Sequence, residues 1–383
     1  MTIQNNFKLA APISEDTIIL GSRQEWKYDL RKFDKSYTIE FHPSAECIYA
    51  CLHCQGYSSR NSWMEQSTYL KTKVVEDFFQ GYDTRADKNI GMWRIIISGL
   101  CGEPLRNKEA TLMLLEEGKK RGLSMGLSTS GILLDEHLND ILMNYNTPLD
   151  WVNVSLDSPA GREKHYEKLY SATHGIPEGK ALSKVMQNLE NLARTKVSHQ
   201  AVSQINIDWI ISDLNVKPES IEEDIVSTIT YLNGIQGVNL LRLQFPFYFN
   251  PFTPHLSDEA STNLAEVLKK IQSGKIEIKK FRPDFKVWLR NNWVKRIKGV
   301  KSCKAASEYG PVIGSDGQLY HCPYIAAENF SNYNQHLKEI NVSNLWDKIT
   351  RIPALDTTNL DKCQVVCTNK NNFLYNDIVE KVE

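Results

Sequence analysis

Apolar and polar positions along the chain switch between two periods. "KSYTIEF", Lys35 to Phe41, alternates as a strand with one buried face does. "STYLKTKVVEDFFQGY" then spaces its apolar residues three and four apart, which predicts a helix with one buried side. The switch recurs down the chain. "MWRIIISG", Met92 to Gly99, reads as a buried strand, and "NKEATLMLLEEGKKRG" as a helix stopped at Gly122. "LSMGLSTSG" and "DWVNVSLDS" are further strands, followed by the helical stretches "LDEHLNDILMNY" and "SKVMQNLENLART". "SQINIDWIISDLN" precedes a helix ending at Gly234, and "VNLLRLQFPF" is the sixth strand of the series.

This alternation, up to about Phe247, predicts parallel strands joined by crossover helices. In barrels of βα units, chemistry sits at the C-terminal strand ends. The unusual loops all fall there: a cysteine triple after the first strand, "SGLCGEPL" after the second, "STSG" after the third, "SLDSP" after the fourth.

Composition bounds the rest. A chain of 383 residues suits one large α/β domain plus a smaller appendage. An apolar share of 41%, a charged share of 24% and a formal net charge of −1 exclude long disorder. No apolar stretch is long enough to span a bilayer, and "MTIQNNFKLAAPISEDTIIL" lacks the basic start and apolar run of a secretory signal. A cytoplasmic, reducing setting with no membrane partner is expected. There, clustered cysteines serve as metal ligands or catalysts more often than as disulfides.

Cys47, Cys51 and Cys54 form C-x3-C-x2-C, Cys101 stands alone, and Cys303, Cys322, Cys363 and Cys367 lie in the last quarter of the chain. A structural zinc ion wants four closed ligands, for which His42 and His53 are the candidate fourths beside the first triple. Three thiolates on a four-iron cluster would instead leave one iron open for chemistry.

Together, C-x3-C-x2-C after the first strand, G-x-x-GEP after the second and S-L-D after the fourth resemble the radical S-adenosylmethionine (SAM) superfamily. The resemblance runs from about Tyr37 to Phe247. It implies a partial (βα)6 barrel, α/β in class, in which Cys47, Cys51 and Cys54 ligate a [4Fe–4S] cluster. SAM would bind the open iron and be cleaved reductively to a 5′-deoxyadenosyl radical, which abstracts a hydrogen from the substrate. Gly99, Gly102, Glu103 and Pro104 match the family's loop for the methionyl amine. A carboxylate and bare backbone suit an ammonium. Ser128, Ser130, Ser155 and Asp157 lie where relatives bind the ribose and the methionyl carboxylate. His53 stands where the family usually has an aromatic residue whose backbone lies near adenine. Cys101, beside this pocket, is either a small buried hydrophobe or a thiol that returns a hydrogen atom to a substrate radical.

"GSDGQLYHC" reads as a hairpin around an Asp-Gly turn. With Cys303, Cys322, Cys363 and Cys367, the region resembles the short auxiliary-cluster form called twitch, a relative of the longer SPASM form. It implies one auxiliary [4Fe–4S] cluster, with zinc in the four thiols as the alternative. The expected division is an extension at 1–35, a barrel at 36–250, a basic linker or helical region at 251–302 and an auxiliary-cluster domain at 303–383. Lys275 to Lys301 carries ten Lys and Arg against Glu277 and Asp284. That reads as a solvated linker helix or, with Trp288 and Trp293, as a landing strip for an acidic partner. "QFPFYFNPFTPH", Gln244 to His255, is expected at the barrel mouth, as packing or as a substrate wall.

The resemblance implies an enzyme, with a ribosomally made peptide as the favoured substrate and natural-product maturation as the favoured role. The alternatives are a dehydrogenase or epimerase of an aminocyclitol, sugar or nucleoside, and a non-catalytic iron–sulfur or zinc scaffold. An external electron donor of flavodoxin or ferredoxin type is implied. Residues 1–35 are too few for the peptide-recognition domain of many relatives, so a separate recognition protein is a further candidate partner.

Overall fold

The computed structural model describes residues 17–20, 35–54, 69–84, 90–99, 102–144, 149–177, 179–244, 256–290, 300–308, 310–322, 337, 339–356 and 379–381. Strands β1 (Thr17–Leu20), β2 (Lys35–Phe41), β3 (Ile90–Ile97), β4 (Ser124–Thr129), β5 (Leu149–Ser155), β6 (Gln204–Ile210), β7 (Val238–Gln244) and β8 (Lys286–Arg290) lie side by side. With β10 (Val312–Ile313) and β11 (Leu319–Tyr320) they make one sheet, ordered β1-β8-β7-β6-β5-β4-β3-β2-β10-β11. Every neighbour pair from β2 to β8 is parallel, whereas β1 runs antiparallel to β8. Helices α1 (Thr72–Thr84), α2 (Lys108–Lys120), α3 (Glu136–Leu142), α4 (Glu163–Thr173), α5 (Ala181–Ser198), α6 (Ile221–Gly234) and α7 (Asp258–Gln272) supply the crossovers. This is a mixed α/β fold built on a parallel sheet, and the six expected strands are β2 to β7.

A seventh parallel strand, β8, corrects the reading of Lys275 to Lys301 as a linker helix. Val287 and Leu289 are fully buried on one face, while Lys286 and Trp288 alternate on the other. The charge count hid a period-two pattern. Helix α4 was also not anticipated. Its buried residues are Tyr166, Tyr170, Ser171 and Thr173, of which only the two tyrosines are large and apolar in part, too sparse a stripe among charged neighbours to stand out.

The two faces of the sheet differ. In-register rows such as Phe41–Ile97–Leu127–Val152–Ile205 and Val154–Ile207–Leu241–Val287 are fully buried. Helices cover this face: Phe78 of α1 meets the Phe41 ring edge-on at 5.0 Å. The opposite, inner face carries two polar rows, Ser128–Asn153–Asn206–Leu240–Lys286 and Ser155–Asp208–Arg242–Trp288.

The "GSDGQLYHC" hairpin forms as β10 and β11, with Gly317 at φ +76° in its loop. It adds to the barrel sheet through a parallel pairing of β10 with β2. A separate small sheet has the order β12 (Leu355–Asp356), β9 (Val300–Cys303), β13 (Val379–Lys381). Residues 342–348 pack on α1, where Trp346 Nε1 donates to Phe78 O at 3.3 Å and its ring lies 4.9 Å from that of Tyr82.

Candidate functional site

The loop after β2 carries Cys47, Cys51 and Cys54, all half-buried, and three sets of contacts hold it. Ser44 Oγ accepts from Glu46 N at 2.9 Å, which turns the chain just before Cys47. Ala50 N and Leu52 N donate to His174 O and Thr173 O, at 2.6 and 2.9 Å, at the end of α4. Glu103 N donates to Glu46 O at 2.9 Å, and the Glu46 carboxylate pairs with Arg106. Three thiols are thus presented by one loop whose backbone is anchored on both sides.

The loop after β3 packs backbone to backbone on the cysteine loop. A Cβ on Gly102 would lie 1.8 Å from Ser44 O, and one on Gly99 would lie 2.1 Å from Gly102 O. Only a residue without a side chain fits so close an approach. Pro104 opens the short 3-10 turn Pro104–Asn107 and is buried. Cys101 lies outside the described residues.

Glu103 is 2% exposed, and protein donors engage its carboxylate. Oε1 accepts from Thr129 Oγ1 at 2.7 Å and from Leu105 N at 3.2 Å, and Oε2 accepts from Ser130 N at 2.7 Å. Glu103 thus ties the end of β3 to the end of β4. Ser130 Oγ is buried with no hydrogen-bond partner among the described residues, so it is available to a ligand. Ser128 and Ser155 lie on the two inner polar rows.

Asp157 is buried at φ +49°, in the left-handed region. Its Oδ1 accepts from Ile210 N at 2.7 Å, and its Oδ2 meets His53 Nε2 at 3.1 Å. Burial pushes the Asp157 carboxyl up, but the His53 ring and these hydrogen bonds outweigh it and hold it below the usual value. Asp157 therefore couples β5 and β6 to the cysteine loop through a residue 104 positions away.

His174, which the sequence did not single out, stacks on Tyr170 at 3.8 Å between centroids and meets the His53 ring edge-on at 5.3 Å. Its Nδ1 lies 2.9 Å from Tyr170 O. Burial, with His53 beside it, pushes the ring down to about 4, so it is neutral at pH 7. A histidine followed by Gly175 at φ +60° marks a helix end, but that signal needs α4 to be recognised first. His42 Nε2 is bound to Glu40 Oε1 at 3.0 Å.

Across the inner face, Asn206 Nδ2 donates to Asn153 Oδ1 at 3.0 Å. Arg242 Nη1 pairs with Asp208 at 3.2 Å, and the guanidinium lies 5.5 Å from the Trp288 ring centroid. Asn206 Oδ1 and Arg242 Nε are buried without hydrogen-bond partners among the described residues. One acceptor and one donor thus stand open on adjacent strands beside an aromatic plane.

Cys303 ends β9, and Cys322 lies two residues beyond β11; both are half-buried. Cys363, Cys367, Trp293 and residues 245–255 lie outside the described residues.

Residues 42–207 match the sequence profile of the Radical SAM superfamily. The GTP 3′,8-cyclase of Synechocystis sp. is 27% identical over 187 residues, which is 49% of this chain and 47% of that enzyme. The matched stretch thus spans about half of that relative. Among solved structures, Streptococcus suis SuiB bound to the precursor peptide SuiA superposes with a TM-score of 0.55 at 14% identity, covering 84% of this chain and 67% of SuiB. Native anSMEcpe with bound AdoMet gives a TM-score of 0.53 at 15% identity over 88% of each chain. Residues 42–207 thus carry the sequence profile of a radical SAM domain, and the described residues share the fold of SuiB and anSMEcpe.

Three thiols on one anchored loop, a neighbouring backbone with no room for a Cβ, and an open buried hydroxyl at Ser130 fit a [4Fe–4S] cluster with SAM beside it.

Proposed function

We propose that this chain is a radical SAM enzyme that modifies a peptide made on the ribosome, in natural-product maturation. When bound, the cluster at Cys47, Cys51 and Cys54 with SAM supplies a 5′-deoxyadenosyl radical that takes a hydrogen atom from an unactivated C–H bond. The observation that carries the substrate class is the pair of open groups on the inner face. An amide accepts from Arg242 Nε through its carbonyl and donates through its N–H to Asn206 Oδ1. Trp288 offers a flat surface to the same group. SuiB, a fold neighbour, is bound to its precursor peptide SuiA, which supports a peptide as substrate.

A nucleoside is the second reading. The cyclase likeness favours it, and a purine ring also pairs donors and acceptors on one edge.

The same proposal includes the rest of the machinery. Gly99, Gly102 and Pro104 shape the amine end of the SAM pocket, with Glu103 bracing it. Ser128, Ser130, Ser155 and the backbone near His53 line its remainder, and Asp157 fixes the loop. Cys303, Cys322, Cys363 and Cys367 hold one auxiliary cluster that accepts an electron. Cys101 is the candidate hydrogen donor. A flavodoxin or ferredoxin supplies electrons in the cytoplasm, and a separate protein presents the peptide.

The test uses anaerobically reconstituted protein with a strong reductant. Replacing Cys47, Cys51 and Cys54 together with alanine abolishes 5′-deoxyadenosine formation and removes about four irons per chain. Arg242→Gln keeps 5′-deoxyadenosine formation without substrate but loses peptide-dependent stimulation. Stimulation by nucleotides and by no peptide would decide for the second reading. Persistent SAM cleavage in the triple variant would overturn the cluster assignment.

A further inference from the structure

We infer that Cys51, His53 and His174 form a mononuclear site for a divalent cation of the zinc type, exclusive of the iron–sulfur cluster because both need Cys51. The inference goes beyond the proposed activity; cation binding by the cluster-free chain stands apart from that reading, and the exclusivity rests on its assignment of Cys51 to the cluster.

One ligand atom from each residue lies within 4.8 Å of the other two. Tetrahedral zinc with bonds of about 2.0–2.3 Å spaces its ligand atoms about 3.6 Å apart. The ligand atoms must draw together by about 1 Å to meet that spacing. The three groups are a thiol and two imidazoles, the donor set zinc prefers.

The histidines are held as metal-binding histidines are, with the far nitrogen of each ring tied to an acceptor. His53 Nε2 is 3.1 Å from the Asp157 carboxylate, and His174 Nδ1 is 2.9 Å from Tyr170 O. A proton on each of those nitrogens leaves lone pairs on His53 Nδ1 and His174 Nε2. His53 Nδ1 is buried with no hydrogen-bond partner among the described residues, and the side chain is only 7% exposed. A buried acceptor of that kind costs about 1–3 kcal/mol when it is unsatisfied, and a cation satisfies it.

Binding needs no oxidant or reductant. The Cys51 S–H bond breaks, an S–metal bond forms, and the proton passes to solvent. The imidazoles contribute lone pairs, and water fills the fourth position. Cys51 then cannot ligate a cluster iron. The chain before cluster assembly therefore holds one cation at the spot where the cluster loop meets α4, and that cation must leave for the cluster to load.

Co2+ is the probe, added to the full-length, cluster-free chain under reducing, anaerobic conditions. The result expected is one equivalent of tetrahedral cobalt with a thiolate-to-metal absorption band, lost in His174→Ala and in His53→Phe. Subtracting the variant spectra cancels cobalt bound at Cys303, Cys322, Cys363 or Cys367. Affinity at this site falls at least 10-fold in either variant. Cys47→Ala with Cys54→Ala retains the band, since the site does not use them. His174→Ala still takes up the primary cluster's irons on reconstitution, which also shows that the chain is folded. Cluster-loaded wild-type protein shows no such band. Two results would overturn the inference: bands unchanged in both histidine variants, or cobalt retained at this site beside an intact cluster.

Discussion

The two faces of the parallel sheet share every strand and hydrogen bond, yet they are different materials. The helix-covered face is made of Ile95, Ile97, Leu127, Val154, Ile207, Trp209 and Leu243, each fully buried. The inner face offers Asn153, Asn206, Asp208 and Arg242 at the intervening positions. Parallel strands buried in apolar layers on both sides read as continuous hydrophobic runs. Here β6, "QINIDWI", alternates instead, because one side packs and the other binds. The helix-covered face holds the fold together, and the inner face holds the chemistry.

The largest expected effect tests the packed face. Trp209→Ala removes the largest fully buried side chain and costs about 3–5 kcal/mol, measured by urea unfolding of the cluster-free chain. A loss below about 1 kcal/mol would contradict a close-packed layer there.

A charged exception on the helix-covered side sharpens the comparison. Lys196 of α5 is 9% exposed, and its Nζ donates to Gly237 O at 3.0 Å and to Asn239 Oδ1. Burial pushes its pKa down to about 8 from 10.5. The folded chain then binds fewer protons than the unfolded one between about pH 8 and 10.5. This group's contribution to stability rises with pH across that window, by about 3 kcal/mol in all. The stability of the wild type relative to Lys196→Met, followed by urea midpoints at pH 7.5, 9 and 10, should climb accordingly. A flat difference would show that Lys196 is solvated.

The smallest effect tests the inner face. Asn153 and Asn206 bond to each other, so replacing both with leucine leaves no half-made hydrogen bond. Stability should change by less than about 1 kcal/mol. A cost as large as that of Trp209→Ala would erase the division of labour between the faces.

Much of the fold was legible because it is local. The strands β2 to β7 and helices α1, α2, α3, α5 and α6 sit where apolar spacing puts them, and the Asp-Gly hairpin forms where its turn residues stand. Strand β8 was missed because Lys286 was counted as charge rather than as the polar half of an alternation with Val287 and Leu289. The cysteine triple was plain from its spacing. His174 was not, because a lone histidine at a helix end looks like any other. Glu103 is legible from its motif as a loop carboxylate, but its donors Leu105 N, Thr129 Oγ1 and Ser130 N are visible only in the fold.

The sequence by itself determined the βα alternation, the loop that bears Cys47, Cys51 and Cys54, and the placing of unusual loops after strands. These depend on periods of a few residues and on fixed spacings, which a chain carries whatever it packs against. Only the tertiary structure decided which polar groups meet. Register sets those encounters, and bulges shift it: Met125 pairs with Leu149, but Gly126 pairs with Trp151. That one-residue slip fixes which side chains of β5 join the inner rows. Asp157 reaches His53 because the loops after β5 and β2 meet at the same end of the parallel sheet, and Asp208 reaches Arg242 because β6 and β7 pair in register.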